Sequence, residues 1–180
     1  EPWISAEICL KPDSTAVTKA ESKTFNIYQM DYSQVLGFDC GSRGNEKFPE
    51  QEKIMARKPL LMEAIAAVED HIKNHSAYEV DYNIEIKSAK SDDNKFHPTP
   101  DVFSELVYEV INQYLPMERV VIQSFDFRVL KYWKKKYPTV RLAALVENKN
   151  PIGVNLKELG FSPSIYSPYF KLISKQNIAD

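Results

Sequence analysis

Glycine is scarce in this chain and cysteine scarcer, at five and two residues of 180. No glycine-rich phosphate turn follows any predicted strand, which argues against a dinucleotide-binding sheet. Cys9 and Cys40 both lie in the first quarter of the chain. Their spacing is equally compatible with a disulfide and with two ordinary thiols. An excess of one charge is also missing. Twenty-three Lys and Arg stand against 25 Asp and Glu, for a formal net charge of -2 with the signs interspersed. That balance lacks the basic face of a nucleic-acid-binding protein. No apolar run reaches the roughly 20 residues of a membrane-spanning helix. The sequence opens on Glu1 rather than Met, so a targeting signal cannot be read from it. An exported or periplasmic location is slightly preferred over a cytoplasmic one.

What the chain does have is material for a core. Hydrophobic residues make up 43%, which excludes wholesale disorder and suits one domain of ordinary size. The first 58 residues are irregular and polar. "TFNIYQM" reads as a short strand or extended piece, "DYSQVLGF" as a turn or two of helix, and "DCGSRGNEKFPEQEKIMARKP" as a long loop. Loops of that length in compact domains are usually functional or mobile.

Regularity begins at Pro59. In "PLLMEAIAAVEDHIKNH" the residues Leu61, Ala64, Ile65, Val68 and Ile72 recur at helical spacing. A strand over 80–87 follows, then a polar loop and a second amphipathic helix in "TPDVFSELVYEVINQYL". "RVVIQSF" is the next strand and "DFRVLKYWKKKYP" a third helix, with Asp126 as a candidate cap. "VRLAALVE" is a strand, "IGVNLKELG" a helix ending at Gly160, "SPSIYSP" a short strand, and "YFKLISKQNIAD" the start of another helix. Alternation of this kind predicts βαβ units and a parallel sheet. The near-continuous apolar strands fit a sheet covered by helices. A (β/α) barrel and an open doubly wound sheet remain as the two closures.

The stretch "VDYNIEIKSAK" carries the chemistry. In a strand, Asn83, Glu85 and Lys87 share one face, and Tyr82, Ile84 and Ile86 the other. In parallel α/β sheets the active site lies at the C-terminal ends of the strands. Glu85 is placed there as a carboxylate for a divalent cation, and Lys87 as an ammonium for a phosphate or another anion. A structural ion pair at a strand end is the plainer alternative.

"YNIEIK" followed by "VVIQSFDFRVLKYWKKKYP" resembles the glycerophosphodiester phosphodiesterase family, whose middle strands carry a Glu-x-Lys and then a Ser-Phe-Asp. "SIYSPYFKLIS" looks like that family's next-to-last strand. The resemblance runs in order from about Lys58 to Asp180. It implies a (β/α)8 TIM barrel of the phospholipase-C-like phosphodiesterase type. It also implies metal-dependent hydrolysis of small-molecule glycerophosphodiesters to glycerol 3-phosphate and an alcohol. Glu85 would then be a metal ligand for Mg or Ca, Lys87 a catalytic phosphate contact, and Phe125 and Tyr169 substrate contacts. The chain would be part of a single barrel domain, with 1–58 an insertion and loop region and 59–180 supplying about strands four to seven. The family's opening His-Arg, its Glu-x-Asp pair and its second His would lie upstream of Glu1, and the last strand beyond Asp180. A related phosphatidylinositol-specific phospholipase, or a non-catalytic barrel that binds a phosphorylated ligand or a partner, are the alternatives. The oligomeric state is left open.

Other residues invite and fail the same test. "GSRGNEKFPEQ" mimics an Arg-Gly, Pro-Glu motif, but no His precedes Arg43, and Gly41 and Gly44 suit turns. His71 and His75 are expected as solvated residues near a helix end, where they complement the dipole. His97 is expected as a plain loop residue, with a substrate contact as the alternative. The basic, aromatic "KYWKKKYP" is expected to be a solvated helix face. Trp3 and Trp133 are expected to pack.

Overall fold

A computed structural model describes residues 2–76 and 78–173. They form two compact units, one within residues 2–64 with 94–98 and one within residues 65–93 with 99–173.

The first unit has little regular structure. Its helix α1 (Tyr32–Val35) is a single turn closed by a capping box between Asp31 and Gln34, a reciprocal exchange that satisfies two orphan donors. The strand expected in "TFNIYQM" does not form. Ser22–Thr24 and Ile27–Gln29 are 3-10 turns instead, and only an isolated bridge joins Trp3 to Asn26. The reason is local. The Asn26 side chain accepts a hydrogen bond from the Tyr28 backbone N–H at 3.1 Å, which offers the backbone an alternative to a ladder.

Ile4, Cys9, Val17, Val35 and Phe38 are the buried hydrophobic cluster of this unit. Cys9 and Cys40 form a disulfide, which resolves the alternative left open by their spacing. Beside it, Asp39 Oδ1 accepts from the backbone N–H groups of Gly41, Ser42 and Ala56 at 2.9, 3.1 and 3.1 Å. Hydrogen bonds from the Ser42 side chain and these N–H groups hold the Asp39 carboxyl well below the usual carboxylate range. A Cβ at Gly41 would lie 2.0 Å from the Ile54 carbonyl oxygen, so the chain passes only because the residue is glycine.

The second unit begins within α2 (Leu61–His75) and continues through β1 (Tyr82–Glu85), α3 (Pro100–Tyr114), β2 (Val120–Ser124), α4 (Phe127–Lys136), β3 (Arg141–Val146), α5 (Ile152–Leu159) and β4 (Ile165–Pro168). Helix starts and stops follow the chemistry of their ends. Pro100 opens α3, where a missing N–H costs nothing. Asp126 caps α4 by accepting from Arg128 N at 3.0 Å. Gly160 ends α5 at φ 82°, a left-handed conformation that favours glycine. Past β4 the described chain makes only a 3-10 turn, Phe170–Leu172. The helix expected there otherwise falls on residues 174–180, outside the described ones.

The four strands pair in parallel, in the order β1-β2-β3-β4. A doubly wound sheet would reverse its strand order at a switch point; this one advances steadily. α3 packs on α4 and α4 on α5, so these helices form one continuous layer, as around a barrel. Val120, Ile122, Val129, Leu130, Trp133, Leu142, Ala144 and Leu159 are the buried seam between sheet and helices. Each large side chain there contributes about 1.5–3 kcal/mol by leaving water.

The face of "KYWKKKYP" is not simply solvated. Trp133 is fully buried, and Glu105 of α3 takes hydrogen bonds from Tyr132 and Tyr137, each at 2.9 Å, and from Lys136. These ties bind α3 to α4. The apolar stripe of α2 is less covered than its periodicity implies: Ile65 is buried, while Val68 is exposed.

Candidate phosphodiester-binding rim

Strand pairing places the polar row. Asn83 and Glu85 stand opposite Val121 and Gln123 of β2, and Gln123 opposite Ala143 of β3. The other face of β1 looks toward the helices, because the Tyr82 hydroxyl donates to Glu69 of α2 at 2.6 Å. By alternation Glu85 lies on the face away from the helix layer, at the last paired position of β1.

Lys87 lies two residues further on, past the end of the strand. Its Nζ is 3.6 Å from Glu85 Oε1, with the Lys side chain 61% exposed and the Glu side chain 27%. That separation is an ion pair without a hydrogen bond, and Glu85 Oε1 is a buried atom that accepts none. A buried carboxylate oxygen held only by a neighbouring, largely solvated ammonium has a coordination place to give.

Phe125 follows β2 directly and is 46% exposed. It borders a cleft of about 350 Å³ that Asp126, Arg128, Leu145 and Glu147 also line. Tyr169 follows β4, is 43% exposed, and is anchored by its backbone N–H to Val146 O at 2.8 Å. Its ring meets Phe170 edge-on with centroids 4.8 Å apart. Glu85 and Lys87 are therefore brought together, while Phe125 and Tyr169 stand at the same C-terminal end of the sheet on other strands.

Sequence reasoning missed the polar residues that frame this rim. Asp126 was legible as a helix cap, but it also accepts from the Ser88 hydroxyl at 2.8 Å and from Arg128 Nη2 at 2.6 Å. Burial works against the Asp126 anion, yet the hydrogen bonds from Arg128 and Ser88 prevail and its carboxyl is held below the usual range. Arg128 in turn donates to Asp93 at 2.6 and 3.1 Å. The two carboxylates push its guanidinium above its ordinary value. An Arg two residues after an acidic cap was the available signal.

The histidines fall elsewhere. His71 and His75 are exposed on the last turns of α2, at the end of the sheet where β1 begins. His97 is only 5% exposed, and its Nδ1 donates to Pro98 O at 2.7 Å. Arg43 of the mimic motif donates to Ala6 O at 2.7 Å. Among the described residues, no group of three or more His, Cys, Asp or Glu gathers where it could hold a metal ion, and no helix is long and apolar enough to cross a membrane.

No known family profile matches the chain, and no curated protein matches it in sequence. Solved structures do match in fold. A Silicibacter pomeroyi protein assigned as a glycerophosphoryl diester phosphodiesterase is 17% identical with a TM-score of 0.78, over 99% of this chain and 62% of that one. An Oleispira antarctica phosphodiesterase in complex with the product sn-glycerol-3-phosphate is 18% identical with a TM-score of 0.61, over 86% and 55%. A Parabacteroides distasonis glycerophosphodiester phosphodiesterase is 17% identical with a TM-score of 0.57, over 92% and 57%. The chain thus has the α/β barrel fold of glycerophosphodiester phosphodiesterases and spans 55–62% of these neighbours' length.

Proposed function

We propose that this chain contributes the Glu85–Lys87 rim to a metal-dependent phosphoric diester hydrolase that cleaves glycerophosphodiesters to glycerol 3-phosphate and an alcohol. The observation that carries this reading is the buried, hydrogen-bond-free Oε1 of Glu85, 3.6 Å from Lys87 Nζ, at the end of a parallel sheet where ligands bind. The shared fold with phosphodiesterases supports it. So does the glycerol 3-phosphate bound by the Oleispira antarctica phosphodiesterase.

Glu85 fits one place in the sphere of a hard cation such as Mg or Ca, which prefers anionic oxygen. The described residues supply no group of three donors, so water, phosphate oxygens and other donors would complete the sphere. When bound, the cation would polarise the phosphoryl oxygens as charge develops. Lys87 binds a non-bridging phosphate oxygen with an ammonium that is already largely in solvent, which suits a compact point charge on a flexible stem. Phe125 and Tyr169 offer aromatic walls to the small-molecule substrate. The Cys9–Cys40 disulfide favours an oxidising, exported setting.

The test is Glu85→Gln in the complete protein, assayed on glycerophosphocholine and glycerophosphoethanolamine across Mg and Ca concentrations. An amide offers only a neutral carbonyl, so most metal-dependent hydrolysis should disappear with the fold intact. Activity close to wild type at subsaturating metal removes Glu85 from this role.

A further inference from the structure

The ladder of β1 stops at the Glu85–Gln123 pair, with one further backbone bond from Ile86 N to Gln123 O at 3.0 Å. Lys87 therefore stands on backbone that the sheet no longer fixes. Residues at and just after the end of β2 hold it instead. Ser124, fully buried, donates from Oγ to Ile86 O at 2.7 Å. The same oxygen accepts the Asp126 backbone N–H at 3.0 Å. Asp126 Oδ2 accepts from Ser88 Oγ at 2.8 Å. Arg128 reaches past Asp126 to both carboxylate oxygens of Asp93, in the middle of the same loop. The carbonyl between Glu85 and Lys87, the hydroxyl after Lys87 and the Asp93 carboxylate in mid-loop are thus all held from residues 124–128.

We infer that Ser124 and Asp126 are positioning residues that clamp the Glu85–Ser88 segment and so set the Glu85–Lys87 separation; their catalytic consequence rests on the function proposed above. The arrangement divides Asp126 between two tasks. Oδ1 caps α4 through Arg128 N, and Oδ2 grips Ser88. A residue needed for the helix alone would require only the first. Ser124 points the same way, because its donor is used on the chain just past the neighbouring strand rather than within its own turn. A hydrogen-bonded outer partner of a ligating or reacting group typically changes affinity or activity by about 10–100-fold when removed.

The experiment compares Ser124→Ala, Ser124→Thr and Ser88→Ala in the complete protein. Hydrogen exchange of the peptide covering residues 85–93 is measured together with kcat and KM for glycerophosphocholine at saturating magnesium. Ser124→Ala should speed exchange across 85–93 but not in 120–124, and lower kcat by about 10–100-fold with KM and melting temperature little changed. Ser124→Thr, which keeps the hydroxyl, should restore both. Ser88→Ala removes only the grip on Asp126 and should act in the same direction with smaller size. It decides the matter if Ser124→Ala does not fold. Unchanged exchange in 85–93, or faster exchange with unchanged kcat in an active enzyme, overturns the inference. Faster exchange in a protein that hydrolyses no glycerophosphodiester leaves the clamp standing and rejects the proposed function.

Discussion

Arg119 grips Glu69 with both arms of its guanidinium, Nη2 to Oε1 at 2.7 Å and Nη1 to Oε2 at 3.1 Å. Its Nε donates to Val80 O at 2.9 Å, and Glu69 also takes the Tyr82 hydroxyl. One guanidinium therefore joins α2 to the entries of β1 and β2, at the end of the sheet opposite the rim. Bidentate charge-assisted pairs of this kind specify geometry as well as energy.

The first prediction concerns this pair. The Arg119 side chain is 9% exposed and that of Glu69 35%, so Arg119→Ala should cost about 2 kcal/mol, between the surface and buried limits. The hydrogen bonds from Arg119 and Tyr82 hold the Glu69 carboxyl below its ordinary value of 4.5. A depressed carboxylate stabilises above its unfolded pKa, and the benefit is lost as pH falls through the folded one. Tyr82 sets the alkaline limit: burial and the neighbouring carboxylate push its hydroxyl from 10.0 to about 12. A raised group stabilises below its unfolded value, and that contribution is lost between pH 10 and 12. Denaturant melts at pH 3, 7 and 11 should show both losses in wild type and smaller ones in a Glu69→Gln, Tyr82→Phe double variant, since other shifted groups remain.

The second prediction concerns the disulfide. Five buried residues make the first unit's hydrophobic cluster, a small core to oppose chain entropy. Closing a loop with a sequence separation of 31 is worth about 3–4 kcal/mol in the chain-entropy account. Dithiothreitol should therefore expose amides around Ile4, Val17 and Phe38 to rapid exchange while those of β2 and β3 stay protected. Equal protection of the first unit with and without reductant would count against a stabilising disulfide.

The third prediction separates Lys87 from Glu85. Lys87→Ala removes one charged contact and should lower kcat in the complete protein by about 10²–10³, a smaller loss than Glu85→Gln. Because its side chain is 61% exposed, added salt should weaken inhibition by inorganic phosphate in wild type and less so in the variant. A Lys87→Ala enzyme with wild-type kcat and unchanged phosphate inhibition would leave the pair a structural one.

The second unit was legible because its signals are periodic. Leu61, Ile65 and Ile72 mark a helix, and "RVVIQSF" and "VRLAALV" are apolar runs suited to covered parallel strands. Strand alternation alone put Glu85 on the face away from Tyr82. Strand order, which settles the closure, carries no local signature and came from the pairing register. The clamp was hidden for the same reason. Ser88 and Asp126 are 38 residues apart, as are Ile86 and Ser124, and nothing about a serine announces a distant carbonyl. In the first unit, side-chain caps, a disulfide and the Asp39 hydrogen bonds replace periodicity, so a strand was expected where 3-10 turns formed.

The last prediction is that residues 1–180 alone do not turn over glycerophosphodiesters. General acid–base catalysis needs a group of suitable pKa within reach of the reacting oxygen, and histidine is the natural candidate near neutrality. His71 and His75 lie on α2 at the end of the sheet away from the rim, and the His97 ring is buried with Nδ1 donating to a carbonyl. Glu85 is a single carboxylate, and no three-donor group occurs among the described residues, so a cation would be held weakly. β1 and β4 are the outer strands of the described sheet, and unpaired strand edges template association. The purified segment should therefore be inactive with magnesium or calcium, and light scattering should show association that grows with concentration. Metal-dependent turnover comparable to that of an intact glycerophosphodiester phosphodiesterase would mean that these 180 residues already hold the acid, the base and the missing ligands.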